Sequence, residues 1–271
     1  MSKSASMRLQ DHRAILNLVG ECRDLGDSNQ SWLSHTLEKL AALTAADVSM
    51  CGEIGGFSAG RPRGIGLPAD WGYENGFDKR GWHLAQEMLA TNPDYRPVFF
   101  EYLREGSVRG AAMRRTDLTS TADWLQSLEY SLYDIVGGDH NIGCFHPISG
   151  TPDEWIGGYL VRAKGRADFS VRQKLIAQES LARIARMMGG ALARSTEPSP
   201  SELPPRVRQV LRCILEGDGD KQIAKRLAIS KYTVNDYVKR IFGHFGVRSR
   251  PELLARWIRR GWGNRFAWVD G

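Results

Sequence analysis

Apolar residues along this chain recur mostly at helical spacing, interrupted by a few short alternating runs. Met7 to Leu25 and Trp32 to Leu43 follow the helical period, and Val48 to Ile54 then alternates as a strand does. Helices are predicted around Trp82 to Leu89, Tyr95 to Leu103 and Ala122 to Val136. Two strands follow, His140 to Ile148 and Trp155 to Ala163, and the turn-rich SGTPDE between them predicts a hairpin. From Phe169 to Leu192 the residues Leu175, Ile176, Leu181, Ile184, Ala185, Met188 and Leu192 mark one long amphipathic helix. The segment up to residue 193 therefore reads as α+β. Arg194 to Pro205, RSTEPSPSELPP, then sets four prolines among serines, which disfavours helix and buried strand alike and reads as a linker.

Beyond the linker come four helical bursts. The first, Arg206 to Glu216, puts Val207, Val210, Leu211 and Ile214 on one face and stops at Gly217. The second, Asp220 to Leu227, has Asp220 as its candidate cap, with Ile223, Ala224 and Leu227 inward. Only Ala228, Ile229 and Ser230 separate it from the third burst, Lys231 to Phe245. Two short helices joined by so tight a turn make a helix-turn-helix. Ser230 caps the third helix, Val234, Val238, Ile241 and Phe242 hold it to the core, and Lys231, Tyr232, Thr233, Asn235, Asp236, Lys239 and Arg240 face out. The fourth burst, Pro251 to Arg260, carries Leu253, Leu254, Trp257 and Ile258 on one stripe. The division is thus 1–193 for a regulatory domain, 194–202 for the linker and 203–265 for an all-α four-helix domain.

Charge sharpens this division. The net charge is +6 over 271 residues. From Ser201 onward there are fifteen Lys and Arg against seven Asp and Glu, a balance of +8, which leaves −2 for the first 200 residues. A basic module joined to a mildly acidic one is the asymmetry expected where one module meets a polyanion. The N-terminal MSKSASMRLQDHR lacks the apolar core of a signal peptide, and no long uncharged stretch could span a bilayer, so a cytoplasmic protein is expected. Cys22, Cys51, Cys144 and Cys213 are scattered without metal-ligand spacing, so neither a zinc site nor a disulfide framework is expected.

The C-terminal pattern resembles the LuxR (GerE-like) family of helix-turn-helix transcription regulators. The residues that carry the resemblance are Leu203, Val210-Leu211, Gly217, Ile223-Ala224, Ile229-Ser230, Thr233-Val234 and the run from Val247 to Arg250, in ungapped spacing over about a quarter of the chain. Val207, Tyr237 and Asp236 depart from the usual family residues. The resemblance implies double-stranded DNA as partner. Lys221, Lys225, Arg226, Arg248, Arg250 and Thr233 are then candidates for phosphate, Lys231, Tyr232, Asn235 and Lys239 for base edges, and Ser230 and Arg240 complete the contact set. It also implies a homodimer through Leu253, Leu254 and Trp257 of the fourth helix, with reading helices ~34 Å apart; RNA polymerase is a further partner open to such a regulator.

The N-terminal segment, ending in a hairpin and a long helix, resembles the GAF/PAS-like sensor domains often placed before a LuxR reader, with Ile156-Gly157-Gly158 and Asp168-Phe169-Ser170 as its residues. It lacks the early acidic pair and late Lys of a receiver domain, so control by phosphorylation is not expected. Its aromatic-rich middle offers Trp71, Tyr73, Trp82, Phe99 and Phe145 as candidate ligand contacts, and the same residues can equally fill a core. Trp71, Tyr73, Asp78 and Trp82 have the residue types of the acyl-homoserine-lactone receptors at tighter spacing, so lactone sensing stands as an alternative to control by another small molecule or a protein. A ligand-independent dimerisation scaffold is a further alternative.

An enzyme is the competing class. Cys144 and His146 alternate on one strand and could form an activated thiolate pair, yet a third orienting group is missing. The glycine-rich CGEIGGFSAGRPRGIG matches neither a Walker loop nor a dinucleotide fingerprint and reads as a hairpin or loop. No catalytic residue, metal or cofactor is therefore expected.

Overall fold

The alternating segments assemble into one antiparallel sheet. The computed structural model describes residues 6–56, 62–75, 77–91, 98–105, 110–151 and 153–262. Its described residues divide into two compact units, Met1–Gly20 with Leu33–Met187, and Glu21–Trp32 with Met188–Gly271. The start of the predicted Tyr95 helix and residues 263–265 of the predicted C-terminal domain lie outside the described residues.

In the first unit the strands are β1 (Val48–Gly55), β2 (Arg63–Trp71), β3 (Ala111–Arg114), β4 (Gly138–Pro147) and β5 (Trp155–Ala163), in the order β2-β1-β5-β4-β3. Each neighbouring pair is antiparallel. The helices are α1 (Leu9–Asp24) and α2 (Asn29–Thr44), whose stretches within Glu21–Trp32 belong to the second unit, then α3 (Lys79–Thr91), α4 (Val98–Glu105), α5 (Arg115–Leu118), α6 (Thr121–Leu125), α7 (Leu128–Val136) and α8 (Val171–Met187). Successive side chains of a strand point to opposite faces, so each strand serves two layers. On one face Ser49 Oγ donates to Leu37 O of α2 at 3.1 Å, and Cys144 Sγ lies 3.6 Å from Ala177 O of α8. On the other, Val48 and Val161 pack with Phe77, Trp82, Trp124, Leu132, Tyr133 and Val136, while Phe145 and Trp155 pack with Phe99 and Leu103. Gly157 stands opposite Phe145 in register, and a Cβ there would meet the Phe145 ring at 1.9 Å; the glycine leaves room for the ring.

The hairpin β4–β5 forms as expected and the α+β reading holds, but the long helix expected over Phe169 to Leu192 stops at Met187, and Met188 and Leu192 instead form an isolated bridge. Two strands and one helix break add to the expected elements. Arg63–Trp71 begins inside the glycine-rich run read as a hairpin or loop; it pairs antiparallel with β1, as the hairpin reading has it, and extends as a strand to Trp71 at the sheet edge, where Pro68 is tolerated. The short β3 was not foreseen. The single helix predicted over Ala122 to Val136 is interrupted, because Ser127 Oγ accepts from the Tyr130 amide at 3.0 Å and caps α7.

The second unit holds α9 (Pro205–Leu215), α10 (Asp220–Leu227), α11 (Lys231–Phe245) and α12 (Arg250–Arg260) around a core of Val207, Val210, Leu211, Ile214, Ile223, Val234, Ile241, Phe245, Leu253 and Trp257. The stretch read as a linker is built into it. Ser199 caps a short turn of 3-10 helix at Pro200–Glu202, the buried Ala193 and Leu203 join the core, and Ser199 O meets His244 Nε2 at 2.9 Å. Prolines that forbid a long helix are here held by side-chain and backbone partners. Glu21–Trp32 belongs to the same unit: Asn29 Nδ2 and Trp32 Nε1 donate to Ala193 O at 3.3 and 3.0 Å, and the Ala193 amide donates to Gly26 O at 2.7 Å. The unit therefore starts at Met188 rather than in the proline-rich run, and recruits an N-terminal segment as well.

Candidate nucleic-acid interface and sensor cavity

The helix-turn-helix is set by local chemistry. α10 ends at Ala228, left-handed at φ 53°, whose amide donates to Ala224 O, and the chain turns into Ser230. Ser230 Oγ accepts from the Thr233 amide at 3.0 Å and caps α11. The cap of α10 differs from expectation: Gly219 is the cap residue, its amide donating to Gln222 Oε1 at 2.7 Å, and Asp220 is instead ion-paired with Arg250.

Burial of Val234, Ile241 and Phe245 turns the opposite side of α11 to solvent. Tyr232, Asn235, Asp236, Lys239 and Arg240 are exposed there at spacings of three and four residues, which places them on one stripe. Lys231, Ser230, Lys221 and Lys225 are also exposed, and Thr233 is half-buried with its Oγ1 2.8 Å from Ser230 Oγ. The arginines divide. Arg248 is exposed, whereas Arg226 is ion-paired with Glu216 and Asp218, and Arg250 with Asp220 while donating to Asp218 O at 2.6 Å. Hydrogen bonds from Arg212 and Arg226 hold the Glu216 carboxyl below its ordinary value, so it stays charged and keeps this network closed. Arg226 and Arg250 thus tie α10 to its neighbours.

The expected dimer contacts need correction. Leu253 and Trp257 are buried in the unit's own core, Trp257 meeting Phe245 edge-on at 5.2 Å, so neither is offered to a partner. Leu254 is half-buried, and Ile258 is the large apolar side chain of α12 that stands in solvent, 77% exposed.

Residues 201–256 match the family model described as bacterial regulatory proteins, luxR family (GerE). The C-terminal helices form a LuxR-family helix-turn-helix domain. Over 71 residues the chain is 35% identical to the probable HTH-type transcriptional regulator GfsR of Streptomyces halstedii, covering 26% of this chain and 29% of that one. Over 59 residues it is 39% identical to the putative HTH-type transcriptional regulator Mb0914c of Mycobacterium bovis, covering 22% and 7%. The chain thus spans less than a third of the length of these relatives. Among solved structures, SdiA in complex with octanoyl-rac-glycerol is 16% identical at a TM-score of 0.40, covering 96% of this chain and 97% of that one. The N-acylhomoserine lactone dependent factor CepR2 from Burkholderia cenocepacia is 13% identical at 0.44, covering 66% and 93%. Similarity at this level assigns no residue.

Outside the LuxR-type domain, the first unit contains a cavity of about 60 Å³ lined by Val98, Phe99, Arg115, Leu118, Thr119, Trp124, Ser127, Glu129, Asn141 and Tyr159. Of the five aromatics expected to contact a ligand, Phe99 alone lines it. Trp82 is fully buried against Tyr133 at 5.1 Å, Phe145 lies on Gly157 and Phe99, Trp71 sits half-buried on the edge strand, and the Tyr73 ring meets Lys79 and His83. Trp82 and Phe145 thus pack against neighbouring rings, and none of these four lines this cavity. The Trp71, Tyr73, Asp78 and Trp82 quartet is likewise not gathered on the cavity. Arg115, Trp124 and Asn141 were missed, because their meeting depends on the pairing of β3 with β4, which no local pattern announces.

Cys144 is not an activated thiol. Burial, with the neighbouring Cys51 adding to it, pushes its pKa well above the ordinary thiol value. Among the described residues no cluster of His, Cys, Asp and Glu could hold a metal ion, and no helix is long and apolar enough to cross a membrane.

Proposed function

We propose that the chain is a sequence-specific transcription regulator, dimeric on DNA, whose N-terminal unit acts as a GAF-like sensor of a small molecule. The observation that carries this is the solvent-facing stripe of α11 within a LuxR-family domain, with Asn235 and Lys239 one turn apart and the helix start fixed by Ser230. Asn and Lys are residue types that pair with adenine and guanine edges in the major groove. Lys221, Lys225, Lys231, Arg240 and Arg248 supply phosphate contacts, while Arg226 and Arg250 position α10. Two copies joined near α12 set two reading helices one DNA turn apart.

Titration of selected duplexes by fluorescence anisotropy tests this reading. A dimer using 6 to 10 phosphates loses about 10³- to 10⁵-fold in affinity between 50 and 200 mM salt, linearly on logarithmic axes. A flat salt response, or no preference for any duplex over random DNA, would overturn it.

A further inference from the structure

Arg115 is the first residue of α5 and is 6% exposed, so its charge is taken almost wholly out of water. A guanidinium cannot shed its proton in a protein, and a buried cation needs acceptors. Arg162 in the same unit shows what satisfaction looks like: its nitrogens donate to the carbonyls of Thr44, Ala45, Ala167 and Asp168 at 2.6 to 3.1 Å. Arg114, next in sequence, pairs with Asp117. Arg115 has neither arrangement. Its hydrogen bonds are long ones of 3.4 Å, to Thr121 Oγ1 and His140 Nδ1, and its buried Nε has no acceptor among the described residues. That His140 nitrogen also lies 3.6 Å from Asp168 Oδ1, so it is shared.

A second orphan lies beside it. The ring of Trp124 is 5.5 Å from the Arg115 guanidinium, Trp124 is 4% exposed, and its buried Nε1 also has no acceptor among the described residues. Both residues line the same cavity, whose other walls include Phe99, Leu118, Val98 and Tyr159. Glu129 lines it too. Two buried donors without acceptors, one of them charged, beside apolar walls describe the complement of a carboxylate with a compact apolar body. The planar fork of arginine fits a carboxylate closely, and an indole N–H can donate only. At about 60 Å³ the space is far below the ~300–1,000 Å³ of sites for drug-sized ligands, which favours a small acid.

We propose that this cavity binds a small monocarboxylate, its carboxylate held by Arg115 and the Trp124 N–H and its apolar part by Phe99, Leu118 and Tyr159. This rests on reading the N-terminal unit as a sensor and names the class of ligand sensed.

The test uses the full chain at constant ionic strength, with sodium benzoate and sodium butyrate as probes and benzamide and butyramide as their uncharged isosteres. A ligand that prefers the folded state raises the midpoint of thermal unfolding. The carboxylates should raise it and the amides should not, and calorimetry should show Arg115→Gln weakening carboxylate binding by about ten- to a hundredfold. Trp124→Phe, which keeps the ring and loses the donor, should weaken it by roughly three- to tenfold. Equal binding of acids and amides overturns the anionic class while leaving a sensor in place, as does undiminished carboxylate binding by Arg115→Gln. The comparison of acid with amide on the unaltered protein stands even if a variant fails to fold. Binding by none of the four probes also overturns the proposal, and the DNA titration of the same samples then judges the regulator reading separately.

Discussion

Ser230 occupies two roles that one pair of substitutions can separate. Its Oγ accepts from the Thr233 amide at 3.0 Å at the start of α11, and it lies exposed at the end of that helix aimed, in the proposed complex, at DNA. Ser230→Ala removes the cap, which costs about 1 kcal/mol of stability. In a domain of this size that lowers the unfolding midpoint by roughly 4–8 °C. Ser230→Asp keeps a good cap and adds a negative charge where the helix dipole welcomes one, worth ~0.3–1 kcal/mol, so its midpoint should match or exceed that of the unaltered protein. On DNA the order reverses. A carboxylate about 5 Å from a phosphate in water is repelled by ~0.8 kcal/mol, about fourfold per protomer and roughly an order of magnitude for a dimer. Thermal unfolding by circular dichroism and anisotropy at one fixed salt concentration give both numbers. Ser230→Asp binding DNA as tightly as the unaltered protein, or Ser230→Ala unfolding at an unchanged temperature, would refute the placement of this cap at the DNA face.

The remaining predictions concern readout and acid stability. Asn235→Ala should cost about 1–3 kcal/mol on the preferred site and little on random DNA, whereas Lys221→Ala should weaken all sequences alike and reduce the salt slope by about one unit per protomer; competition binding on both duplexes separates them, and equal losses for Asn235→Ala would remove it from base reading. In the first unit burial opposes ionisation of Asp117, but hydrogen bonds from Arg114 and Lys174 outweigh it and hold the carboxyl well below its ordinary value. A depressed folded-state value stabilises above the unfolded carboxylate range near ~4 and is lost as pH falls below it. Denaturation midpoints between about pH 6 and pH 3 should therefore decline less steeply for Asp117→Asn, and an unchanged acid limb would show that this cluster contributes nothing.

What the sequence disclosed tracks how local each cause is. The limits between α10 and α11 were legible because a capping serine and a three-residue turn are short-range signals. Even there one cap was misread: Asp220 has the usual capping chemistry, but Gln222 reaches back to the Gly219 amide and frees Asp220 for Arg250. The proline-rich run was read from composition as a linker, whereas partners distant in sequence, His244 and Trp262 among them, hold it and the preceding Ala191. Nothing in RSTEPSPSELPP itself announces those partners.

The two errors of role share a physical origin. A helical stripe such as Leu253 and Trp257 marks a face that must be covered, and the pattern is the same whether the cover is the domain's own core or a second copy. Ile258, read as part of the same stripe, stands in solvent instead, and is the apolar residue of α12 whose position the intramolecular core does not explain. In the N-terminal unit the converse holds: the aromatics drew attention because burial of large rings is common, and most of them satisfy one another. The informative residue was a charged one, Arg115, which becomes unusual only once β3 and β4 pair and enclose it. A buried donor without an acceptor is costly in a way a buried ring is not, so the unmet Arg115 Nε and Trp124 Nε1 say more about an occupant than the aromatic content of their surroundings.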